Sequence, residues 1–129
     1  MYQLADILLI CSTRDGQNLV ASEYIAARGL EHPGSLVISE HAGCAQSLAG
    51  AFKINPWSPV DIARGISFAL KINQEEKKLR WETMTSYVQT FTAKSWCSTF
   101  LNTLQQKKQV EDNLVQNDIN ESKNKLLAA

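Results

Sequence analysis

The chain has 129 residues, of which 44% are hydrophobic and 20% are charged, a balance that predicts a globular fold and excludes a disordered chain. The 13 Lys and Arg residues equal the 13 Asp and Glu residues in number, so no basic surface for nucleic acid is predicted. The sequence contains neither a leader peptide nor an apolar run as long as a membrane span, and we therefore expect a cytoplasmic protein without a membrane partner.

The cysteine and histidine pattern argues against a metal site. Cys11, Cys44 and Cys97 are widely spaced and odd in number, which is typical of reduced thiols, and we expect two of them to be buried. His32 and His41 are too isolated along the chain to join them as zinc ligands.

Apolar segments alternate with helical patterns in the first half of the chain. The predicted strands are Asp6 to Cys11, Leu36 to Ser39 and Phe52 to Ile54. The first is a continuous apolar run, which is typical of a parallel strand covered by helices on both faces. Because such a strand needs neighbours, we expect the chain to begin inside a domain. The alternation predicts an α/β fold with a partial parallel sheet and right-handed crossovers.

Helices are predicted between and after these strands. The first runs from about Asn18 to Arg28, and a short one covers Cys44 to Leu48. The third begins at Ser58, which can cap it ahead of Pro59 at the first helical position. Beyond Asn73 the pattern is helical only, and we expect its large side chains to be buried in helix packing: Trp81, Met84, Val88, Phe91, Trp96, Phe100 and Leu104.

The segment between the first strand and the first helix has the clearest chemical character. Ligands of open α/β sheets bind at the carboxyl ends of strands, and this segment lies at such an end. Gly16 would let the backbone turn tightly and approach a ligand. The first amides of the helix, near Leu19 and Val20, lack intrahelical acceptors and with the helix dipole would suit a diphosphate.

Glu23 lies one helical turn beyond these amides. A carboxylate there could accept two hydrogen bonds from a ribose diol, as an acid does in dinucleotide-binding folds, although the spacing differs. The same residues also allow a purely structural interpretation, in which Arg14 pairs with Asp15 and Glu23 is solvated. The residues alone leave both interpretations open.

Three ordered motifs extend this pattern: R-D-G-Q-N-L-V-A-S-E-Y-I-A from Arg14, L-V-I-S-E-H-A-G-C-A-Q-S-L from Leu36, and F-K-I-N-P-W from Phe52. Their order and spacing resemble those of the trehalose-6-phosphate synthase family. The similarity covers roughly residues 4 to 104, and three ordered blocks are far more specific than one short motif.

The resemblance implies a retaining glycosyltransferase with two Rossmann-like domains, which transfers glucose from UDP-glucose to glucose-6-phosphate without a metal or cofactor. Residues 1–104 would be part of the C-terminal, nucleotide-sugar-binding domain, and residues 105–129 a polar helical tail or linker. The implied partners are UDP-glucose and a missing N-terminal domain or other subunits of a trehalose synthase complex. Since the acceptor site and the cationic donor clamps lie upstream in the family, we expect this chain alone to be inactive.

The resemblance also assigns site residues by their position in the first motif, with no catalytic residue among them. Leu19 and Val20 would hold the diphosphate through their amides, and Glu23 would hold the ribose. Fixed donors there would stabilise the charge that builds on the leaving diphosphate. The donor glucose would lie along four residues, mainly through backbone groups: Asp15, Gly16, Gln17 and Asn18.

Departures from the family pattern keep other interpretations open. Gln17 stands where the family has methionine, and His41 where it has phenylalanine. We expect His41 to be structural or partly exposed, Cys44 to be a small buried hydrophobic residue, and Glu40 to have no catalytic role. Three alternatives for the parent protein remain: an active synthase, a non-catalytic regulatory or scaffolding subunit, or the synthase-like region of a trehalose-6-phosphate phosphatase. The departures favour the second.

Overall fold

Three parallel strands form the sheet of the computed structural model, which describes residues 1–127. They are β1 (Ile7–Ile10), β2 (Ser35–Ser39) and β3 (Phe52–Ile54), and they lie side by side in that order. Ile7 lies opposite Ser35 in the register of β1 and β2. Every residue of β2 is buried, because this strand has a neighbour on each side and helices on both faces. The predicted α/β class and the predicted parallel sheet are confirmed.

Four α-helices are present in the described residues, and the first two begin where the sequence places their starts. They are α1 (Leu19–Arg28), α2 (Pro59–Lys71), α3 (Gln74–Thr90) and α4 (Ala93–Leu127). The hydroxyl of Ser58 accepts a hydrogen bond of 3.2 Å from the amide of Asp61 and so caps α2. The predicted short helix is a 3-10 turn at Gly43–Gln46. None of the described helices is both long and apolar enough to cross a membrane.

One face of the sheet packs against α1 and α3. The rings of Tyr24 and Trp81 meet edge to face with their centroids 5.4 Å apart, and both side chains are fully buried. The indole N–H of Trp81 donates to the carbonyl oxygen of Gly29 at the end of α1. The hydroxyl of Tyr24 donates to the carbonyl oxygen of Ala5, 2.8 Å away, just before β1. These contacts fix α1 against both α3 and the start of the sheet.

The opposite face packs against α2. Val37 and Ile54 point to this side and form a second buried cluster with Ala69 of the helix. Gly65 allows the close approach, because a Cβ atom at this position would collide with the side chain of Ile54. The two faces alternate along β2, since Leu36 belongs to the first cluster and Val37 to the second.

Some burial predictions are wrong. β1 is not a fully buried strand: it is an edge strand of the described sheet, and Leu9 on one of its faces is 40% exposed. Two buried cysteines were expected, but Cys11 and Cys97 are exposed and Cys44 is partly buried. Cys11 is exposed because it follows the last residue of β1, at the open end of the sheet.

The helical half of the chain fits its predicted burial only in part. Trp81 and Met84 are fully buried as expected, and Val88 is partly buried. Four other residues that were expected to be buried are exposed instead, and for them the prediction is wrong: Phe91 (65%), Trp96 (68%), Phe100 (49%) and Leu104 (48%). The unit that begins at Phe91 contains, as far as it is described, no second helix or strand against which α4 could bury these side chains. Instead, the rings of Trp96 and Phe100 stack at 5.3 Å.

The chain divides into two compact units, the first of which spans Met1–Thr90. Helix α4 continues through Leu104 without a break. The boundary at residue 104 comes from sequence similarity and not from compactness, and it stays a prediction.

We expect Trp81→Phe to lower the free energy of unfolding by about 2 to 3 kcal/mol, because it removes the hydrogen bond to Gly29 and leaves a cavity in the core. Urea unfolding followed by circular dichroism measures the change. Leu79→Ala is the matched control: this side chain on the same helix is 64% exposed, so its loss should change stability by no more than about 0.5 kcal/mol. Equal effects of the two substitutions would contradict the packing described above.

Candidate functional site

Two neighbouring loops form one surface at the carboxyl ends of β1 and β2. We call residues 11–18 the β1 loop and residues 40–46 the β2 loop. The amide of Asp15 donates to the carbonyl of His41 at 3.3 Å, and the amide of Gly43 donates to the carbonyl of Asp15 at 3.0 Å. The amide of Cys44 then donates to the carbonyl of Gln17 at 3.1 Å. Backbone hydrogen bonds therefore hold the β1 loop against its neighbour.

The side chain of Asp15 organises the β1 loop from within. Its carboxylate accepts hydrogen bonds from the side-chain amide of Asn18 at 2.7 Å, from the backbone amide of Gln17 at 3.2 Å and from the hydroxyl of Ser12 at 3.3 Å. These hydrogen bonds, led by that of Asn18, lower the pKa of Asp15. Among the described residues no ion pair joins Asp15 to Arg14, so that pairing is wrong, although the hydrogen bonds of Asp15 within its loop agree with a structural role.

Asn18 connects the β1 loop to the helix. Its side-chain oxygen accepts from the amide of Ala21 at 3.1 Å and caps α1. Its φ of 69° lies in the left-handed region, which asparagine tolerates better than most residues. We expected Gly16 to make the tight turn, but the residue with the left-handed backbone is Asn18. A Cβ atom on Gly16 would meet no atom within 4 Å, so the protein itself does not require glycine there.

The opening turn of α1 lies as predicted at the end of β1. The amides of Leu19 and Val20 have no acceptor within the helix, as is general for the first residues of a helix. The cap of Asn18 serves the next amide, that of Ala21. Both Leu19 and Val20 are exposed, so this end of the helix is accessible to a ligand.

Glu23 lies on the exposed side of α1 and has a partner that the sequence did not reveal. The hydroxyl of Tyr2 donates to its Oε2 atom at 3.0 Å. This hydrogen bond, partial burial and the charge of Glu23 together raise the pKa of Tyr2. Glu23 is exposed, as the structural interpretation expects, and the hydrogen bond from Tyr2 is a contact that this interpretation did not include. Periodicity gives no signal for Tyr2, because the contact joins residues far apart in the sequence.

Gly43 is a second residue whose role was not predicted from the sequence. A Cβ atom at this position would collide with the carbonyl oxygen of Gly16 across the two loops. Glycine is therefore needed for the close approach of the two backbones. Its place in the second motif was the available signal, since an unexplained glycine in a motif often marks such a contact.

The polar residues of the β2 loop have structural positions. His41 is partly exposed as expected, with its Nε2 atom 4.0 Å from Oε1 of Glu40. The amide of Glu40 donates to the carbonyl of Ile54 and extends the pairing of β2 with β3. Cys44 is partly buried with its Sγ atom 3.7 Å from the carbonyl of Asn18, and burial raises the pKa of its thiol. A protonated thiol is a poor nucleophile.

Much of the candidate site is exposed: Gly16, Gln17, Leu19 and Val20 are all exposed residues. Two hollows of about 460 and 320 Å³ lie elsewhere on the molecule, the larger beside Phe52 and Arg80 and the smaller beside Ala27 and Arg28. In the described part of the chain, no three acidic, His or Cys side chains cluster as metal ligands would.

Comparison with known proteins places this arrangement in a family. The model of glycosyltransferase family 20 matches residues 1–106. The chain belongs to this family. The resemblance carried by the three motifs is therefore confirmed, and the matched region of the family 20 chain includes every predicted site residue.

Relatives from fungi and bacteria agree. The chain is 41% identical over 104 residues to the 56 kDa subunit of alpha,alpha-trehalose-phosphate synthase [UDP-forming] from Saccharomyces cerevisiae, a match that covers 81% of this chain and 21% of the relative. The family 20 chain thus spans about a fifth of that relative's length.

Solved structures give the same picture. The trehalose 6-phosphate synthase of Burkholderia multivorans superposes with a TM-score of 0.77 at 31% identity, covering 85% of this chain and 24% of that one. The N-terminal domain of the trehalose-6-phosphate phosphatase of Candida albicans gives 0.76 at 31% identity, covering 81% and 22%. The fold of the family 20 chain is therefore shared by proteins named for different reactions.

We expect Gly43→Ala to lower the free energy of unfolding by about 1 to 3 kcal/mol, because the added methyl group forces the two loops apart. Gly16→Ala is the control, since it places the same group in open space and should leave stability nearly unchanged. Urea unfolding gives the energies, and the amide resonance of Cys44 reports the contact between the loops. A tolerated alanine at position 43 would contradict the described approach.

Acid should open the β1 loop through Asp15. Because the pKa of this carboxyl lies below its ordinary 3.8 in the folded chain, its contribution to stability is complete above that value and is lost as the pH falls through the lowered pKa. The amide resonance of Gln17, which bonds to Asp15, should titrate at that lowered pKa. Asp15→Asn should abolish the step, whereas Asp112→Asn on exposed α4 should leave it. A step centred at or above 3.8 would refute the assignment.

Proposed function

We propose that this chain supplies the donor-binding surface of a glucosyltransferase in trehalose biosynthesis, which makes trehalose-6-phosphate from UDP-glucose and glucose-6-phosphate. The observation that carries the proposal is the exposed start of α1 at the carboxyl end of β1, directly after an organised loop. Ligands of open α/β sheets bind at this edge. The names of the relatives suggest the reaction, and the geometry suggests which part of it lies in this chain.

The diphosphate of the donor would bind the start of α1. The backbone N–H groups of Leu19 and Val20 have no acceptor within the helix and can therefore donate to a ligand. The helix dipole adds roughly half a positive charge at this end. Negative charge on the diphosphate increases as the bond to glucose breaks. Fixed amides therefore stabilise the transition state more than the bound donor.

The donor glucose would lie over the β1 loop. The carbonyls of Asp15 and Gln17 are already used by the β2 loop, and the side chain of Asp15 is used within the loop. Contacts to the sugar would then fall mainly to the backbone of Gly16, where the space is open, to the exposed Gln17, and to the half-buried Asn18 through donors that its bonds to Asp15 and Ala21 leave unused. Most polar groups of the β1 loop are thus used within the protein. The few that remain for the sugar are held in fixed positions by the hydrogen bonds of the loop.

The ribose would bind Glu23. This carboxylate lies one turn beyond the diphosphate amides, and a carboxylate has more acceptor positions than its hydrogen bond to Tyr2 occupies. We expect no metal or cofactor to be required, since the amides at the start of α1 would stabilise the negative charge of the diphosphate.

The acceptor half of the reaction would lie in other polypeptide sequence. The chain corresponds to about a fifth of its relatives' length, and the described site contains no group that we assign to glucose-6-phosphate. We therefore propose that this chain binds the donor without turning it over by itself, and that its partner is a second Rossmann-like domain or another subunit of a trehalose synthase complex.

A second candidate is a non-catalytic role, as a regulatory subunit or as the synthase-like region of a phosphatase. The similarity to the N-terminal domain of a trehalose-6-phosphate phosphatase favours it, as do Gln17 and His41, which depart from the synthase motifs. Gln17 is exposed beside the proposed sugar position. A chain of this kind would bind the donor weakly, and Gln17→Met would strengthen the binding.

Titration of the chain with UDP-glucose tests the main proposal by nuclear magnetic resonance. Amide resonances of residues 16–20 and of Glu23 should shift, and Glu23→Gln should weaken binding by about tenfold, because a charged acceptor for the ribose is lost. Inorganic pyrophosphate should bind equally to both forms. Glu31→Gln, an exposed acid outside the site, should change nothing.

The outcomes separate the candidates. Shifts confined to other surfaces, or equal affinity of Glu23→Gln and the natural chain, would refute donor binding at this site. Binding that is detectable only after Gln17→Met would favour the non-catalytic role.

A further inference from the structure

Tyr2 lies outside the three sequence motifs, yet it touches a residue of the proposed site. Its hydroxyl is 3.0 Å from Oε2 of Glu23. Tyr2 opens a short 3-10 helix, Tyr2–Leu4, which precedes β1 and packs along α1. The contact therefore brings a separate segment of the chain to the exposed carboxylate of α1.

Several other contacts fix the position of Tyr2. Its ring meets that of Tyr24 edge to face at 6.3 Å. The next residue, Gln3, accepts a hydrogen bond of 3.0 Å from the guanidinium of Arg28 and donates one of 3.4 Å to the carbonyl of Ala27. The phenol is thus held in place by groups other than Glu23, and it can act as a fixed donor toward that carboxylate.

A fixed donor matters because a glutamate on a helix surface is otherwise free to rotate. Ordering such a side chain when a ligand binds costs conformational entropy. The hydrogen bond from Tyr2 engages Oε2 in advance and leaves Oε1 for another donor. The phenol remains protonated at neutral pH, since the bond to Glu23 raises its pKa above the ordinary 10.0.

We propose that Tyr2 is a positioning residue, which orients the carboxylate of Glu23 toward the ribose hydroxyls of the nucleotide sugar. The inference rests on the proposed function, because it assigns to Glu23 the role given above. Tyr2 itself does not contact the ligand. Its effect is to reduce the ordering that Glu23 undergoes on binding.

The test is Tyr2→Phe in the full 129-residue chain, which removes the hydroxyl and keeps the ring against Tyr24. We expect the affinity for UDP to fall by about three- to tenfold, because the side chain of Glu23 must then be ordered when the ligand binds. The affinity for inorganic pyrophosphate, which has no ribose, should not change. The ratio of the two affinities is a quantity that general destabilisation would leave unaltered.

A double-mutant cycle with Glu23→Gln shows whether Tyr2 acts through Glu23. Tyr2→Phe should have little further effect on UDP affinity once Glu23 is replaced. Tyr24→Phe is the matched control: it removes a hydroxyl that bonds to Ala5, so it should lower stability without changing the ratio of UDP to pyrophosphate affinity.

Each result has a distinct meaning. Unchanged UDP affinity in Glu23→Gln would overturn the proposed function itself. A loss in Glu23→Gln without any loss in Tyr2→Phe would overturn only the positioning role. Tighter UDP binding in Tyr2→Phe would also overturn it, because the phenol would then compete with the ribose. Equal weakening of UDP and pyrophosphate would show a structural effect and overturn it as well.

Discussion

The approach of two backbones at the ends of β1 and β2 is the constraint on which the site depends. Gly43 passes so close to Gly16 that no side chain fits between them, and hydrogen bonds to Asp15 and Gln17 hold the loops in contact. Asp15 then fixes Asn18 through its carboxylate, and Asn18 caps α1. A chain of short-range interactions thus runs from the second strand to the first turn of the helix, where the free amides lie.

The core determines where that helix points. The inner side of α1 is fully buried through Tyr24 and Ile25, and Trp81 bonds to the residue at its end. Its outer side carries Glu23 beside Tyr2. Because one side cannot move without opening the core, the carboxylate and the helix start keep a fixed separation. Rigid placement of few groups is what recognition of a multi-part ligand requires.

Elements with strong local signals could be predicted from the sequence. Ser58 and Pro59 marked the start of α2, and the apolar runs marked all three strands, because capping and hydrophobic patterns are local. Contacts between distant segments could not be predicted: Tyr2 with Glu23, and Gly43 with Gly16, are set by the tertiary fold. The prediction of burial was wrong for Trp96 and Phe100. Periodicity shows that a helix has an apolar side, but it does not show whether another element covers that side.

The two glycines of the loops offer a way to distinguish folding requirements from ligand requirements in related sequences. At position 43 the polypeptide's own backbone forbids a larger residue, whereas at position 16 the protein leaves the space empty. Under the proposed donor role, a homologue that no longer bound a sugar nucleotide would remain free to replace Gly16 while retaining Gly43. Variation at position 16 together with an invariant glycine at position 43 would therefore indicate a family member that has kept the fold and no longer binds the ligand.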